Sequence, residues 1–243
     1  NGNVFATHLN VTGTGTINLN CNFTGTTIRY ADDGAVNLVN NGTSITSAIT
    51  TATDNTGTLS LQAGTQTVTG LVGTNAARLA TVNAGANSAT SNFNSDVFAT
   101  QLNVTGTGTV NLGGHFTGTA INYNADANGT VHLASGKNIN GAVTTATDNS
   151  GTLNMVGGAQ AVSGNVGAAG ARVATVNTVT DGATTTFNGT VHATTINAGA
   201  DSATATFNDM VNVTTLNYSG NGTVILNGTN GASATGGLVG TVD

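Results

Sequence analysis

Apolar and polar residues alternate in short stretches along this chain. Triplets in which a polar residue stands between two apolar ones recur through the first two thirds of it. Alternation with a period of two is typical of a β-strand with one buried face. Gly and Asn-Gly steps, which are typical of turns, separate the stretches. The triplets are Ile17-Asn18-Leu19, Val36-Asn37-Leu38, Leu59-Ser60-Leu61, Val110-Asn111-Leu112, Val131-His132-Leu133 and Leu153-Asn154-Met155.

The separations between the triplets predict the architecture. Successive triplets return after roughly 20 residues within each group, and Phe187 and Phe207 have the same separation. Short strands that return about every 20 residues predict a β-solenoid, in which each coil contributes two or three strands to parallel sheets. Because neighbouring strands are ~4.8 Å apart, about eleven or twelve coils would form a rod roughly 55 Å long.

A longer unit of roughly 93 to 95 residues is duplicated. Residues 4–30 and 97–123 are identical at 20 of 27 positions, and the TTATDN sequence at 50–55 returns at 144–149. A truncated third copy begins at Phe187. Because the last residues restart a repeat, we expect a segment of a longer protein. We predict one continuous solenoid over 1-243, with repeats at 1-93 and 94-186 and a partial copy at 187-243.

Tandem antiparallel β-sandwiches, one per repeat, are the alternative architecture, because immunoglobulin-like domains have a similar length. The chain has no Trp, no Pro and few charged residues of the kind that protect the edges of sandwiches. A lack of Pro suits a solenoid, whose strands must donate hydrogen bonds to their neighbours. Stacked coils also allow Thr and Asn side chains to form ladders. The expected core contains Val, Ile, Leu and Ala with Phe5, Phe23, Phe93, Phe98, Phe116, Phe187 and Phe207.

The composition excludes several classes of protein. The 243 residues include 35 Gly, 34 Asn and 48 Thr, and only 6% are charged. Because Gly, Asn and Thr are poor helix formers, a helical bundle and a doubly wound α/β fold are excluded. The net charge is −6, and four basic side chains are too few to neutralise a nucleic-acid backbone. No apolar run reaches the ~20 residues of a membrane helix, so we expect no membrane insertion by this segment.

Charged positions that recur in both copies are the candidate site residues. These are Asp33 and Asp126, Asp54 and Asp148, and Arg78 and Arg172. Asp54 and Asp148 stand in Thr-Asp-Asn-x-Gly, a sequence typical of Asx turns. Each precedes Arg78 or Arg172 by about one coil. We therefore predict structural salt bridges Asp54–Arg78 and Asp148–Arg172 across adjacent coils. The same two carboxylates are the candidate calcium ligands, since Ca²⁺ prefers oxygen ligands.

The sequence offers no catalytic constellation, and we predict a protein without enzymatic activity. No His pair has the spacing of zinc ligands, so calcium is the only metal ion that the sequence suggests. Glycosidase chemistry needs two carboxylates, but the Asp32-Asp33 pair keeps only Asp126 in the second copy. Cys21, which aligns with Gly114, is expected to be a small buried residue, with a crosslinking thiol as the alternative.

Ice binding is a further alternative, because flat solenoid faces with Thr-x-Thr rows suit that use. The sequence contains Thr-Gly-Thr-Gly-Thr at 12–16 and 105–109 and Thr-Gly-Thr at 24–26. A face of this kind requires the triplet at the same place in every coil. These triplets do not return once per coil, which favours the simpler interpretation that Thr serves as a strand former.

The low charge, the Gly, Asn and Thr content and the long imperfect repeats resemble autotransporter passenger domains of Gram-negative bacteria. GTNAARLATVNAG at 73–85 and GAAGARVATVN at 167–177 are most similar to rickettsial surface autotransporters, including the S-layer-like outer-membrane protein. The resemblance implies a right-handed parallel β-helix that is secreted through a C-terminal β-barrel and displayed outside the cell, with a role in a surface coat or in adhesion.

The sequence and the resemblance together predict a structural protein of the bacterial cell surface, a β-solenoid stalk or coat. A self-assembling extracellular filament or lattice subunit is the first alternative, and a carbohydrate-active β-helix is a further one. The expected partners are other copies of the chain, through lateral or end-to-end self-association, and a cell-surface or host receptor. Nucleic acid is not expected as a partner.

Overall fold

The computed structural model describes residues 2–124, 127–178 and 180–227. Within these ranges the chain forms 25 β-strands and no helix. Most strands contain four residues, as the alternating triplets predict, and the longest contain eight. In the described part, no helix is long and apolar enough to span a membrane.

The strands are β1 Val4–Phe5, β2 His8–Val11, β3 Thr16–Leu19, β4 Phe23–Thr24, β5 Thr27–Tyr30, β6 Ala35–Leu38, β7 Ser44–Ile45, β8 Ala48–Thr51, β9 Thr58–Leu61, β10 Thr65–Val68, β11 Leu79–Ala84, β12 Thr90–Phe93, β13 Val97–Val104, β14 Thr109–Leu112, β15 Phe116–Tyr123, β16 Thr130–Leu133, β17 Asn138–Thr145, β18 Ser150–Met155, β19 Ala159–Val162, β20 Val173–Asn177, β21 Thr184–Phe187, β22 Val191–Ala198, β23 Thr204–Phe207, β24 Val211–Tyr218 and β25 Thr223–Leu226.

The strands stack as a parallel β-solenoid of about eleven coils, which confirms the predicted fold class. Each coil passes over three faces in turn, which we call A, B and C. Face A is the sheet β1-β4-β7-β10-β12-β14-β16-β18-β20-β22-β24. Face B begins with the sheet β2-β5-β8, and face C begins with β3, β6 and β9. The long strands β13, β15 and β17 continue from face B into face C, so these two faces join in one sheet order.

Stacked apolar side chains line the inside of each face. Phe187 and Phe207 show the arrangement: they are paired in register, and their rings stack with centroids 5.0 Å apart. The columns are buried except near the two ends of the described stack. Face B contributes Leu9, Ile28, Ile49, Val72, Val97, Phe116, Ile139, Val162, Phe187, Phe207 and Leu226. Face C contributes Ile17, Val36, Leu59, Val82, Leu102, Ile121, Val143, Val166, Val191 and Val211.

The duplicated sequence does not stack on itself. Val4 lies on face A, whereas its counterpart Val97 lies on face B. Ile17 lies on face C, whereas its counterpart Val110 lies on face A. The repeat therefore covers four coils and one further face. Identical sequences from the two copies consequently stand on different sides of the rod.

Two expectations from the sequence are wrong. The alternative of antiparallel sandwiches fails because the strands pair in parallel along every face. Phe5 and Phe98 are not core residues: Phe5 is 74% exposed and Phe98 is half-buried. Each follows an inward-facing valine, Val4 or Val97, so its side chain points to the opposite side of the strand.

Candidate functional site

The structure brings both predicted pairs of charges together across adjacent coils. Arg78 Nη2 lies 3.0 Å from Asp54 Oδ2, and Arg172 Nη2 lies 2.7 Å from Asp148 Oδ2. In each pair the Arg Nε and backbone N–H also donate to the Asp Oδ1. These hydrogen bonds hold the pKa of Asp54 at about 2 and lower the pKa of Asp148 below its usual range. Because all four side chains are a third or more exposed, each pair contributes little to stability.

A buried tyrosine supports each of these turns. Asn55 and Asn149 adopt positive φ angles of 62° and 59°. Gly151, which follows Asn149 closely, has φ of 80°, and a Cβ there would lie 2.5 Å from Cγ of Tyr123. The Tyr123 hydroxyl donates to the Thr152 carbonyl at 2.5 Å. The Thr-Asp-Asn-x-Gly sequence thus forms a tight turn between two faces of the solenoid, held by an Arg of the next coil and packed on a Tyr.

The remaining sequence candidates do not form a metal centre in the described residues. There, no group of three or more His, Cys, Asp or Glu side chains lies together. The calcium candidates Asp54 and Asp148 direct both carboxylate oxygens at an Arg. Asp33 accepts a hydrogen bond from the Gly57 N–H at 2.9 Å, and its counterpart Asp126 lies outside the described residues. Cys21 is a half-buried free thiol.

Two continuous polar rows run along the outside of face A. The strands that carry them stay in register, without a bulge, from β10 to β24. The first, which we call the Thr row, consists of Thr65, Thr90, Thr109, Thr130, Thr152, Thr175, Thr195 and Thr215. The second, which we call the amide row, lies two positions further along each strand and consists of Thr67, Asn92, Asn111, His132, Asn154, Asn177, Asn197 and Asn217.

The amide row is a hydrogen-bonded ladder. Asn177 Nδ2 donates to Asn154 Oδ1 at 2.5 Å, and Asn197 and Asn217 continue the series at 2.6 and 2.8 Å. Asn111 donates to the preceding Asn at 2.8 Å. Each bond joins one coil to the next, so the ladder fixes the amide side chains in one orientation.

The hydroxyl groups of the Thr row form no such ladder. None of the eight Oγ1 atoms has a hydrogen-bond partner among the described residues, although Thr27, Thr51 and Thr145 elsewhere do form such bonds. The seven row members from Thr90 to Thr215 are half-buried, so their hydroxyl groups reach solvent. Face A therefore presents regularly spaced, unoccupied hydroxyls next to fixed amides.

His132 is the one titratable side chain in the two rows. Its Nδ1 lies 3.2 Å from Asn154 Nδ2, and partial burial lowers its pKa below the ordinary value. Beside it the amide row borders an open groove of about 350 Å³. The groove is lined by Asn92, Phe93, Asn94, Asn111, Leu112, Gly113, His132, Ala134 and Val156.

Sequence reasoning missed this face because it searched for Thr at both positions of the triplet. From Thr109 to Asn217 the periodic unit is Thr, an apolar residue, then Asn or His, as in TVNL at 109–112 and TVHL at 130–133. Of the Thr-Gly-Thr runs that the sequence offers, the one at 105–109 contributes Thr109 to the Thr row, whereas those at 12–16 and 24–26 contribute no residue to either row.

A second ladder runs along the outside of face C. Asn37 donates to Asn18 at 2.9 Å, and Asn103 donates to Asn83 at 3.1 Å. Thr144 continues it by donating to Asn122 at 3.1 Å. Polar ladders on two faces thus bind successive coils together from the outside. Comparisons of the chain with protein-family models, with curated proteins and with solved structures found no match.

Proposed function

We propose that this chain is a non-enzymatic structural segment, a stiff stalk or coat element of a secreted protein on a bacterial surface. The observation that carries the proposal is the continuous stack: inward apolar columns run from coil to coil through the described residues, and hydrogen-bonded side chains join many of the coils on the outside. A solenoid of this kind is stabilised by contacts between neighbouring coils, so length can be added without a new core.

The charge distribution supports the same role. Charged residues make up 6% of the chain, and the two ion pairs lie on turns outside the ladders. A rod with few charges, no Pro and few basic residues offers few sites for proteases such as trypsin. The similarity of 73–85 and 167–177 to autotransporter passengers supports the proposed location outside the cell.

Two measurements test the stalk. Small-angle scattering and electron microscopy of the purified chain should give single rods, with about 50 Å for ten steps of ~4.8 Å between eleven coils. Antibodies raised against the purified chain should label intact cells of the source bacterium without permeabilisation. Globular particles would contradict the rod, and labelling only after permeabilisation would contradict surface display.

End-to-end assembly is a second candidate, favoured by one observation. In the described structure, Phe5 on β1 is a large apolar side chain that is 74% exposed. An exposed aromatic side chain of this kind can anchor a second protein chain. Fibres that form at high concentration and are lost in Phe5→Lys, but kept in Thr14→Lys, would favour a filament subunit over an isolated stalk.

A further inference from the structure

We infer that face A is an ice-binding surface, with the Thr row and the amide row as the groups that meet the ice lattice. The inference rests on the geometry of this face and is independent of the stalk proposal. It assigns a ligand, crystalline water, to residues Thr90 to Asn217.

The first step is the spacing of the rows. Adjacent members of a row are one coil, ~4.8 Å, apart, and the two rows are two strand positions, roughly 6.7 Å, apart. Both distances are close to the repeats of water oxygens on prism faces of hexagonal ice. The register holds without a bulge over seven coils from Thr90 to Thr215, so the match extends over an area instead of a single point.

The second step is the state of the polar groups. The Thr hydroxyls have no protein partner in the described residues, so each is available to a water molecule. Asn177 and Asn197 each use one N–H and one oxygen lone pair in the ladder, which leaves a second N–H and a second lone pair for water. Because the ladder fixes the amides beforehand, little side-chain entropy is lost when the face orders water.

The third step is what the rows lack. Neither row contains Asp, Glu, Lys or Arg, whose charge would hold a hydration shell in a different geometry. Neither contains Phe, Tyr or Trp, so the stacking platform expected for a sugar ring is missing. Neither contains a large apolar side chain of the kind that anchors a protein partner. A lattice of hydrogen-bonding sites is the ligand that this chemistry fits.

Face C provides an internal comparison. Its corresponding outward row begins with Thr16 and includes Thr58 and Thr81, but Ala35 interrupts it and Gln101 ends it. The ladder beside this row resembles the amide row, yet the regular hydroxyls are missing. Of the two faces, face A alone combines both rows over the same coils in the described part of the chain.

The test is incorporation of the purified chain into a slowly growing ice hemisphere, measured as the protein concentration in ice relative to the remaining liquid. We expect the wild-type chain to be enriched in ice. Thr130→Tyr, in the middle of the Thr row, should lower the enrichment about tenfold. The larger ring would keep the ice surface away from the neighbouring Thr and Asn side chains. Thr175→Tyr is a second variant, for use if the first does not fold.

Thr81→Tyr on face C is the matched control, since Thr81 is half-buried like Thr130. Circular dichroism melting of each variant shows whether it remains folded. Wild-type enrichment that is kept in Thr81→Tyr and lost in the face A variants supports the inference. Exclusion of the wild-type chain from ice, or an equal loss in Thr81→Tyr, would overturn it.

Discussion

Replacing Phe116 by Ala should weaken the stack locally. Phe116 is fully buried on face B, paired in register with Val97 on one side and Ile139 on the other. Removing a buried Phe side chain costs about 3–5 kcal/mol when the surroundings cannot collapse into the space. Here the backbone ladder holds the neighbouring coils at a fixed spacing, so we expect a value in the upper half of that range.

The position of the damage is as informative as its size. In a solenoid each coil contacts mainly its two neighbours, so a defect is expected to spread over a few coils. Amide hydrogen exchange should therefore show lost protection in β13, β15 and β17, with β3, β6 and β25 close to wild type. Urea unfolding gives the total free energy of unfolding.

Phe5→Ala is the matched control, because this Phe is 74% exposed. It should change the free energy of unfolding by less than about 0.5 kcal/mol. An equally large effect in both variants would refute the assignment of Phe116 to the core column. Loss of protection spread uniformly over the whole chain would refute nearest-neighbour stabilisation.

Four further changes have specific expected outcomes. Gly151→Ala should destabilise by at least about 1–3 kcal/mol in urea unfolding, owing to its positive φ and its contact with Tyr123, and more than Gly136→Ala, where φ is 70° but the space is open. Arg172→Ala should lower the melting temperature slightly, and an unchanged melting temperature would show that its ion pair contributes nothing. The Asp54 ion pair should stabilise above about pH 4 and cease to do so as the pH falls to about 2, since the folded pKa of about 2 lies below the unfolded value of ~3.9; Arg78→Ala should remove this part of the pH dependence. The pKa of His132 is lowered in the folded state, so its contribution to the free energy of unfolding is present above about pH 6.5 and is lost as the pH falls below that value. His132→Asn should therefore make the melting temperature less dependent on pH in that range.

The coil was predictable from the sequence. Alternating triplets that return once per coil require short strands, and pairing of Phe187 with Phe207 follows directly from their separation in the sequence. Asp54 and Arg78 are one coil apart along the chain, which is why the two side chains meet. In both cases the contact follows from the number of residues between the two positions, because residues one coil apart lie above one another in the stack.

The placement of the repeats was not predictable by the same reasoning. Asn18 and Asn111 are equivalent in sequence, but they stand on faces C and A because the long repeat is not a whole number of coils. The number of coils in a repeat depends on loop lengths, and these lengths differ from coil to coil. The Thr row was not predicted, because the number of residues between its members varies from coil to coil. Only the register of the strands places them in one line.

The most direct test of the account is the distance between two spin labels in the Thr row. After Cys21, the single cysteine of the chain, is replaced by Ser, labels are attached at Thr109→Cys and Thr215→Cys. These positions are five coils apart in the row, so the backbone separation should be about 24 Å, with a narrow distribution of label distances around it. A broad distribution, or a distance that exceeds this value by more than the reach of the labels, would contradict a continuous parallel stack.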